Sequence, residues 1–282
     1  MKKQASAVVV SDLDGTLLAD RDHSFEGARP ALAALRSHRI PLLLVSSKTR
    51  AEMESLREEL GIHDPFVVEN GGAGYWPRGY FPPGRLEGQG EYEVLRRGVP
   101  YLSVVDAFRR ARQATGARIK GFSDVGASEV ARLTGLSLDE ARRARQREFD
   151  EPFWVEGPED DKTEKAMKRL AAGGLTVTRG GRFYHLLGEC DKGRAVRELL
   201  DLYRERRPAR ADEPLVVAGL GDAVNDLPFL VAVDRAYIVA GSHGRHDPEL
   251  TRALPDARRV GPAPHGWAEG VMDFLAWLEE QA

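Results

Sequence analysis

The chain is poor in the features that narrow a function fastest. It holds one cysteine, Cys190, among 282 residues. No disulfide can form within it, which fits a reducing, cytoplasmic setting. No apolar run approaches the ~20 residues of a membrane helix, so no membrane partner is expected. The net charge is only -3, so there is no basic surplus to draw a nucleic acid. Histidine and cysteine do not group at zinc spacing. There is no internal repeat and no low-complexity tract. The arginine-rich stretch ARRARQRE, Ala141 to Glu148, interleaves with acids at helical spacing and reads as a solvated helix face. The oligomeric state is not legible.

What is present is a soluble, globular composition, 42% hydrophobic and 30% charged. The length suits a core plus a sizeable second module. MKKQASAVVV has a basic start, but its apolar run is short and reads as a first strand rather than a signal peptide. Val8 to Val10 is a β-branched run suited to a strand buried on both faces. RPALAALRSH is helical, LLLV a second strand, and Thr49 with Glu52 a capping box opening the next helix. PFVVEN is a third strand. This β-α-β-α-β rhythm argues for a doubly wound α/β layer.

The rhythm changes after Asn70. GGAGYWPRGYFPPGRLEGQG is dense in glycine and proline and reads as turns and a linker. Helices near Ser103–Thr115, Ser137–Arg147 and Asp161–Ala172 then alternate with the strand-like ARIKGF, EPFWVEG, LTVTRGG and RFYHLLG. TRGGRFYHL looks like a hairpin across Gly180 and Gly181. The first rhythm resumes after Cys190 with the helix DKGRAVRELL, the buried strand PLVVAGLGD, the strand RAYIVA and a closing amphipathic helix. The expected organisation is a Rossmann-like core in two segments, 1–84 and 190–282, flanking an inserted α+β cap, 85–189.

In open α/β sheets reactive groups gather at the carboxyl ends of the strands. Those ends carry Asp12 and Asp14, then Ser46, then Glu69 and Asn70, then Asp222, Asn225 and Asp226. Two aspartates two residues apart point the same way. Like charges that close repel unless a cation joins them. With Asp222 as a third carboxylate, an all-oxygen site completed by water and a phosphate suits Mg²⁺. One carboxylate can then serve as nucleophile and another as acid and base. Ser46, the amides after it and Lys192 supply donors for a phosphate dianion. Ser47 and Lys48 line the same loop. Asn225 and Asp226 can orient Lys192 or a metal-bound water, although Asn225 also suits a helix start. Glu69 and Asn70 suit either the site or an ordinary turn.

SDLDGTLL, LLVSSKTR, DKGRAV and GLGDAVND together resemble the four motifs of the haloacid-dehalogenase-like phosphatase superfamily, in the family's order. The large insertion resembles the type-two cap of its Cof-like group. HSFEGARPAL, VSSKTRAEME, DPFVVENGGAGY and TVTRGGRFYHL further resemble the mannosyl-3-phosphoglycerate phosphatases. The resemblance implies that Asp12 attacks phosphorus and Asp14 serves the leaving group and then water. It implies Mg²⁺ on Asp12, the Asp14 carbonyl and Asp222, with Asp226 in support, and Ser46 and Lys192 on the phosphoryl group. It further implies a phosphorylated sugar-glycerate substrate. Arg179, beside the Gly-Gly turn, suits either a grip on the substrate carboxylate or an exposed turn. Other sugar-phosphate phosphatases, such as one for the glucosyl compound, and a phosphomutase are the alternatives. A phospho-aspartate signalling module fits poorly, being smaller and uncapped.

Overall fold

The computed structural model describes residues 7–81, 87–180, 183–206 and 214–281. The chain begins with β1 (Ala7–Ser11), α1 (Arg29–His38), β2 (Leu42–Val45), α2 (Arg50–Leu60), β3 (Phe66–Val68), β4 (Ala73–Pro77), β5 (Glu87–Gln89) and β6 (Tyr92–Arg96). It continues with α3 (Tyr101–Thr115), β7 (Ile119–Gly121), α4 (Ala127–Thr134), α5 (Leu138–Ala144), β8 (Glu151–Val155), α6 (Asp161–Ala172), β9 (Thr176–Gly180) and β10 (Phe183–Leu187). The last part holds α7 (Lys192–Arg206), β11 (Val216–Gly221), α8 (Leu227–Leu230), β12 (Arg235–Ala240), α9 (Pro248–Ala253), β13 (Arg258–Pro262) and α10 (His265–Gln281).

Two sheets result. The larger runs β13-β12-β11-β1-β2-β3-β4-β6-β5. It is parallel from β13 to β3 and antiparallel beyond. Strand alternation explains its two covered faces. Val9 points into one apolar layer with α1 and α10, while Val8 and Val10 point into the other with α7 and α8. Each such side chain, fully buried, contributes about 1.5–3 kcal/mol of transfer free energy. The expected capping box on α2 is present: Thr49 Oγ1 accepts from the Glu52 amide at 3.2 Å, and Glu52 accepts from the Thr49 amide at 2.9 Å. The doubly wound, Rossmann-like core read from the sequence is therefore the fold.

The second sheet is antiparallel, β7-β8-β10-β9. One face packs on α3 and α6 through Phe108, Phe153, Leu170 and Leu186. The other carries a small cluster of Phe122, Val130 and Ala141 with α4 and α5. The hairpin of β9 and β10 pairs Gly180 with Phe183, and its turn residues, 181–182, lie outside the described residues.

Three expectations change. Gly71 to Gly90 is not simply linker, because it supplies β4 and β5 to the large sheet. Its glycines hide a strand in which Tyr75 and Trp76, both fully buried, face opposite layers. Gly74 is small because Leu199 of α7 lies over it. The large sheet also runs past residue 84, through β6, so the elements of the second sheet begin only with α3. Finally, the helix expected over Ser137–Arg147 stops at Ala144, and Arg147 is not on a solvated face: its side chain is 6% exposed.

Candidate active site

β11, β1 and β2 are neighbours, so their carboxyl ends deliver Asp222, Asp12 and Ser46 to one edge. Just past β1 the main chain is pinned. The Ser11 hydroxyl donates to the Asp12 carbonyl at 2.6 Å and accepts the Trp267 indole N–H at 2.8 Å. Gly15 then turns with φ 81°, and a Cβ there would stand 2.8 Å from Asp222 Oδ2. Only glycine lets the chain double back this tightly against the carboxylate.

Asp12, Asp222 and Asp226 form the acidic cluster, with ligand atoms within 4.8 Å of one another. Lys192, 3% exposed, reaches into it, 2.6 Å from Asp12 Oδ1 and 2.7 Å from Asp226 Oδ1. Burial, then Asp226, push the Asp12 carboxyl up to about 7. Burial, then Asp226 and Asp12, hold Asp222 well above the usual carboxylate range. Burial disfavours the Lys192 charge, but Asp12 and Asp226 outweigh it and hold the ammonium above its usual value. Lys192 thus pairs with two of the three clustered carboxylates. A hard divalent cation bound through oxygens fits that surplus, and the donor set suits it. Thr16, not singled out from the sequence, donates its hydroxyl to Asp222 Oδ1 at 2.7 Å. Asp226 also accepts the amides of Asp222 and Ala223 at 3.1 Å each.

The Asp14 side chain does not join that cluster. Its Oδ1 lies 2.9 Å from Lys48 Nζ and 3.2 Å from His23 Nδ1. Burial opposes its charge, yet Lys48 and the His23 contact overcome it and hold Asp14 below the usual range. His23 sits in a loop at φ 53° and was not among the expected residues. Only its nearness to Asp14 along the chain hinted at it.

Ser46 is buried at the end of β2, and its hydroxyl accepts the Lys48 amide at 3.2 Å. Ser47 and Lys48 are half-buried beside it. Asn70 uses its polar atoms locally: its amide donates to the Ser46 carbonyl at 3.0 Å and its side chain to Asp150 at 3.1 Å. Asn225 lies half-buried in the turn before α8. Arg179, exposed near the end of β9, stacks its guanidinium 5.3 Å from the Tyr184 ring centroid, and β9 comes against the Val224–Asp226 turn. Burial pushes the Cys190 thiol up to about 12, which suits an inert side chain.

Glycine also places Lys192. A Cβ on Gly193 would stand 2.1 Å from the Pro228 carbonyl oxygen, so α7 meets α8 closely only through glycine. Gly193→Ala is expected to cost about 1–3 kcal/mol by overpacking. Denaturant unfolding checks it; unchanged stability would mean that α7 has slack to move.

Comparison with known proteins gives the family. Residues 9–75 match the family model of the haloacid dehalogenase-like hydrolases. The class is that of phosphoric monoester hydrolases. A glucosyl-3-phosphoglycerate/mannosyl-3-phosphoglycerate phosphatase from Methanococcoides burtonii is 38% identical over 95% of this chain and 97% of its own length. One of the same name from Persephonella marina is 37% identical, covering 96% and 98%. A mannosyl-3-phosphoglycerate phosphatase from Pyrococcus furiosus is 37% identical over 82% of this chain and 90% of its own. Among solved structures, a superfamily phosphatase from Bacteroides thetaiotaomicron superposes with a TM-score of 0.66 at 15% identity, covering 96% of each chain. A subclass IIB sugar phosphatase gives 0.64 at 14%, covering 95% and 99%. The chain belongs to the haloacid dehalogenase-like hydrolases, as a sugar-phosphate phosphatase. No helix among the described residues is long and apolar enough to cross a membrane.

Proposed function

We propose that the chain removes phosphate from mannosyl-3-phosphoglycerate, giving mannosylglycerate, in a Mg²⁺-dependent reaction through an aspartyl-phosphate on Asp12. The observation that carries this reading is the extent of the similarity to relatives of that name, which includes the second sheet as well as the motif-bearing core. The glucosyl compound is the second reading, because two of the relatives carry both names. The phosphatase names favour water over a sugar hydroxyl as final acceptor, against a phosphomutase.

In this reading the residues divide the work. An Asp12 oxygen attacks phosphorus in line while the ester P–O bond breaks toward the glycerate oxygen. Lys192 fixes Asp12 by its Oδ1 and places a positive charge beside the phosphoryl oxygens. Asp14 gives the leaving oxygen its proton, then takes one from the water that cleaves the acyl phosphate. Before substrate enters, Lys48 and His23 favour charged Asp14. A phosphate dianion competes for Lys48, so substrate binding itself raises the proton affinity of Asp14. Ser46 and the amides after it hold the phosphoryl group, Asn70 and Asn225 support the pocket, and Arg179 meets the glycerate carboxylate. Asp12, the Asp14 carbonyl and Asp222, supported by Asp226, would hold Mg²⁺, whose charge neutralises phosphate oxygens when bound. The second sheet acts as the cap that shields the site from bulk water.

Phosphate release from mannosyl-3-phosphoglycerate, the glucosyl analogue, 3-phosphoglycerate and hexose phosphates tests the reading. A preference of roughly 100-fold or more for the glycosylated glycerates is expected; flat, weak rates would overturn the substrate. EDTA is expected to abolish turnover and Mg²⁺ to restore it; full activity in chelator would remove the metal from the scheme.

A further inference from the structure

The loop that cradles phosphate in the proposed reaction is held from behind by the inserted segment. Arg147 Nη1 donates to the Ser47 carbonyl at 2.8 Å, and its Nε to the Ala144 carbonyl at 2.9 Å. The same Nη1 lies 3.7 Å from Asp150 Oδ2, on a carboxylate with no exposure. Asp150 Oδ2 is bonded in turn to the Asn70 side chain at 3.1 Å and His185 Nδ1 at 2.7 Å. The Asn70 amide donates to the Ser46 carbonyl at 3.0 Å. These links close a ring: Ser46, Asn70, Asp150, Arg147, Ser47.

The ring has a consequence for the peptide between Ser46 and Lys48. Both carbonyls are engaged, the Ser46 carbonyl by the Asn70 amide and the Ser47 carbonyl by Arg147. A peptide plane whose carbonyl is fixed has its N–H fixed on the opposite side. The Lys48 amide is used by Ser46 Oγ. No acceptor for the Ser47 amide is present among the described residues. An amide oriented in this way, next to a serine hydroxyl, is a preorganised donor for an anion. Two further bonds fasten the loop to the same segment: Thr49 Oγ1 to the Arg143 carbonyl at 2.9 Å, and Arg50 Nε to Glu148 at 3.1 Å.

We propose that Arg147 is a positioning residue for phosphoryl transfer: from the inserted segment, it orients the Ser46–Ser47 backbone so that the phosphate cradle is complete only while that segment is docked. The expectation that this arginine-rich stretch is solvent-facing concealed it. Arg147 does not have to touch substrate, because it acts through the Ser47 carbonyl. The inference rests on reading the Ser46–Lys48 loop as the phosphate cradle, but not on the identity of the sugar.

The test uses Arg147→Met and Arg147→Lys in the full chain. Three quantities are read: kcat/KM for mannosyl-3-phosphoglycerate, kcat/KM for p-nitrophenyl phosphate, and the inhibition constant of orthophosphate. Misplacing the cradle is expected to lower both kcat/KM values by a similar factor, on the order of 100-fold for methionine. Orthophosphate inhibition should weaken with it, and lysine should recover part of each loss. A loss confined to the sugar-glycerate ester, with orthophosphate unchanged, would overturn the proposal and make Arg147 a substrate contact. A lowered melting temperature with normal kinetics would overturn it in favour of a purely structural role. The p-nitrophenyl phosphate and orthophosphate arms report on the cradle whatever the natural sugar is. A wild-type chain that ignores the mannosyl ester would therefore sink the substrate reading and leave this inference standing or falling separately.

Discussion

Asp12→Asn is expected to lower kcat by roughly 10⁴- to 10⁶-fold, the range seen when a covalent nucleophile is removed. It is also expected to leave the chain at least as stable as before in EDTA, which is the more telling half. Asp12 and Asp226 share one buried cation, Lys192, and Asp222 joins them as a third carboxylate. Their mutual repulsion, added to burial, is why Asp12 and Asp222 sit so far above ordinary carboxylates. Asparagine removes one of the three like charges and keeps the shape. Lys192 loses one partner but keeps Asp226 at 2.7 Å. The balance favours the variant by about 1–2 kcal/mol without divalent cation, as for other sites built for chemistry at the expense of stability. Added Mg²⁺ should then raise the wild-type melting temperature more than that of the variant. Calorimetry with and without Mg²⁺, beside single-turnover phosphate release, reads both halves. Turnover above about 1% of wild type would remove Asp12 as nucleophile. A clear fall in stability would mean that the cluster is not under electrostatic load.

The core of this fold was legible because its signals are short-range. Val8 to Val10 and Leu42 to Val45 are continuous apolar runs, followed by Ser11 and Asp12 in one case and by Ser46 in the other. The Thr49–Glu52 cap lies within one turn. The aspartates were legible because strand ends place them, and strand ends follow from those runs. What escaped needs tertiary knowledge. β4 was hidden because Gly74 answers to Leu199, 125 residues away, rather than to a turn. Arg147 was hidden because its partners, Ser47 and Asp150, exclude solvent only once the inserted segment folds back onto β2 and β3. His23 was hidden because a loop residue at positive φ carries no periodicity. Asp14 shows the limit of a strand-pattern argument. Period two places it beside Asp12, but the chain has already left β1 at Ser11, and Lys48 and His23 decide where its carboxylate points.

Glu69→Ala is expected to produce the largest loss of stability of the changes considered, about 3–5 kcal/mol. Glu69 is fully buried and has φ 48°, followed by Asn70 at φ 57°. Two successive non-glycine residues in the left-handed region cost of order 1 kcal/mol each and persist only when the surroundings hold them. The Glu69 carboxyl group is a main part of what holds them, beside the Asn70 bonds to Ser46 and Asp150. It accepts the amides of Glu148, Phe149 and Asp150 at 2.9, 2.8 and 2.8 Å. Those amides belong to the segment that carries Arg147, and Phe149 between them packs into the main core layer. Alanine would orphan two buried donors and a part-buried one, and release the strained turn. Burial, against the pull of Arg147, pushes the Glu69 carboxyl up to about 7 from 4.5. With a raised folded value, its contribution is fully present below about pH 4.5 and is lost as pH rises through about 7. The cost of the alanine change should therefore shrink between pH 5 and pH 8, by up to about 3 kcal/mol. Urea unfolding of both proteins at the two pH values measures it. A cost that grew with pH would show that the amides favour the ionised carboxylate strongly enough to reverse the effect of burial. A cost under about 1 kcal/mol at both values would mean that the segment holds its place without Glu69. In that case Arg147 would keep its place through its own contacts with Ser47, Ala144 and Asp150.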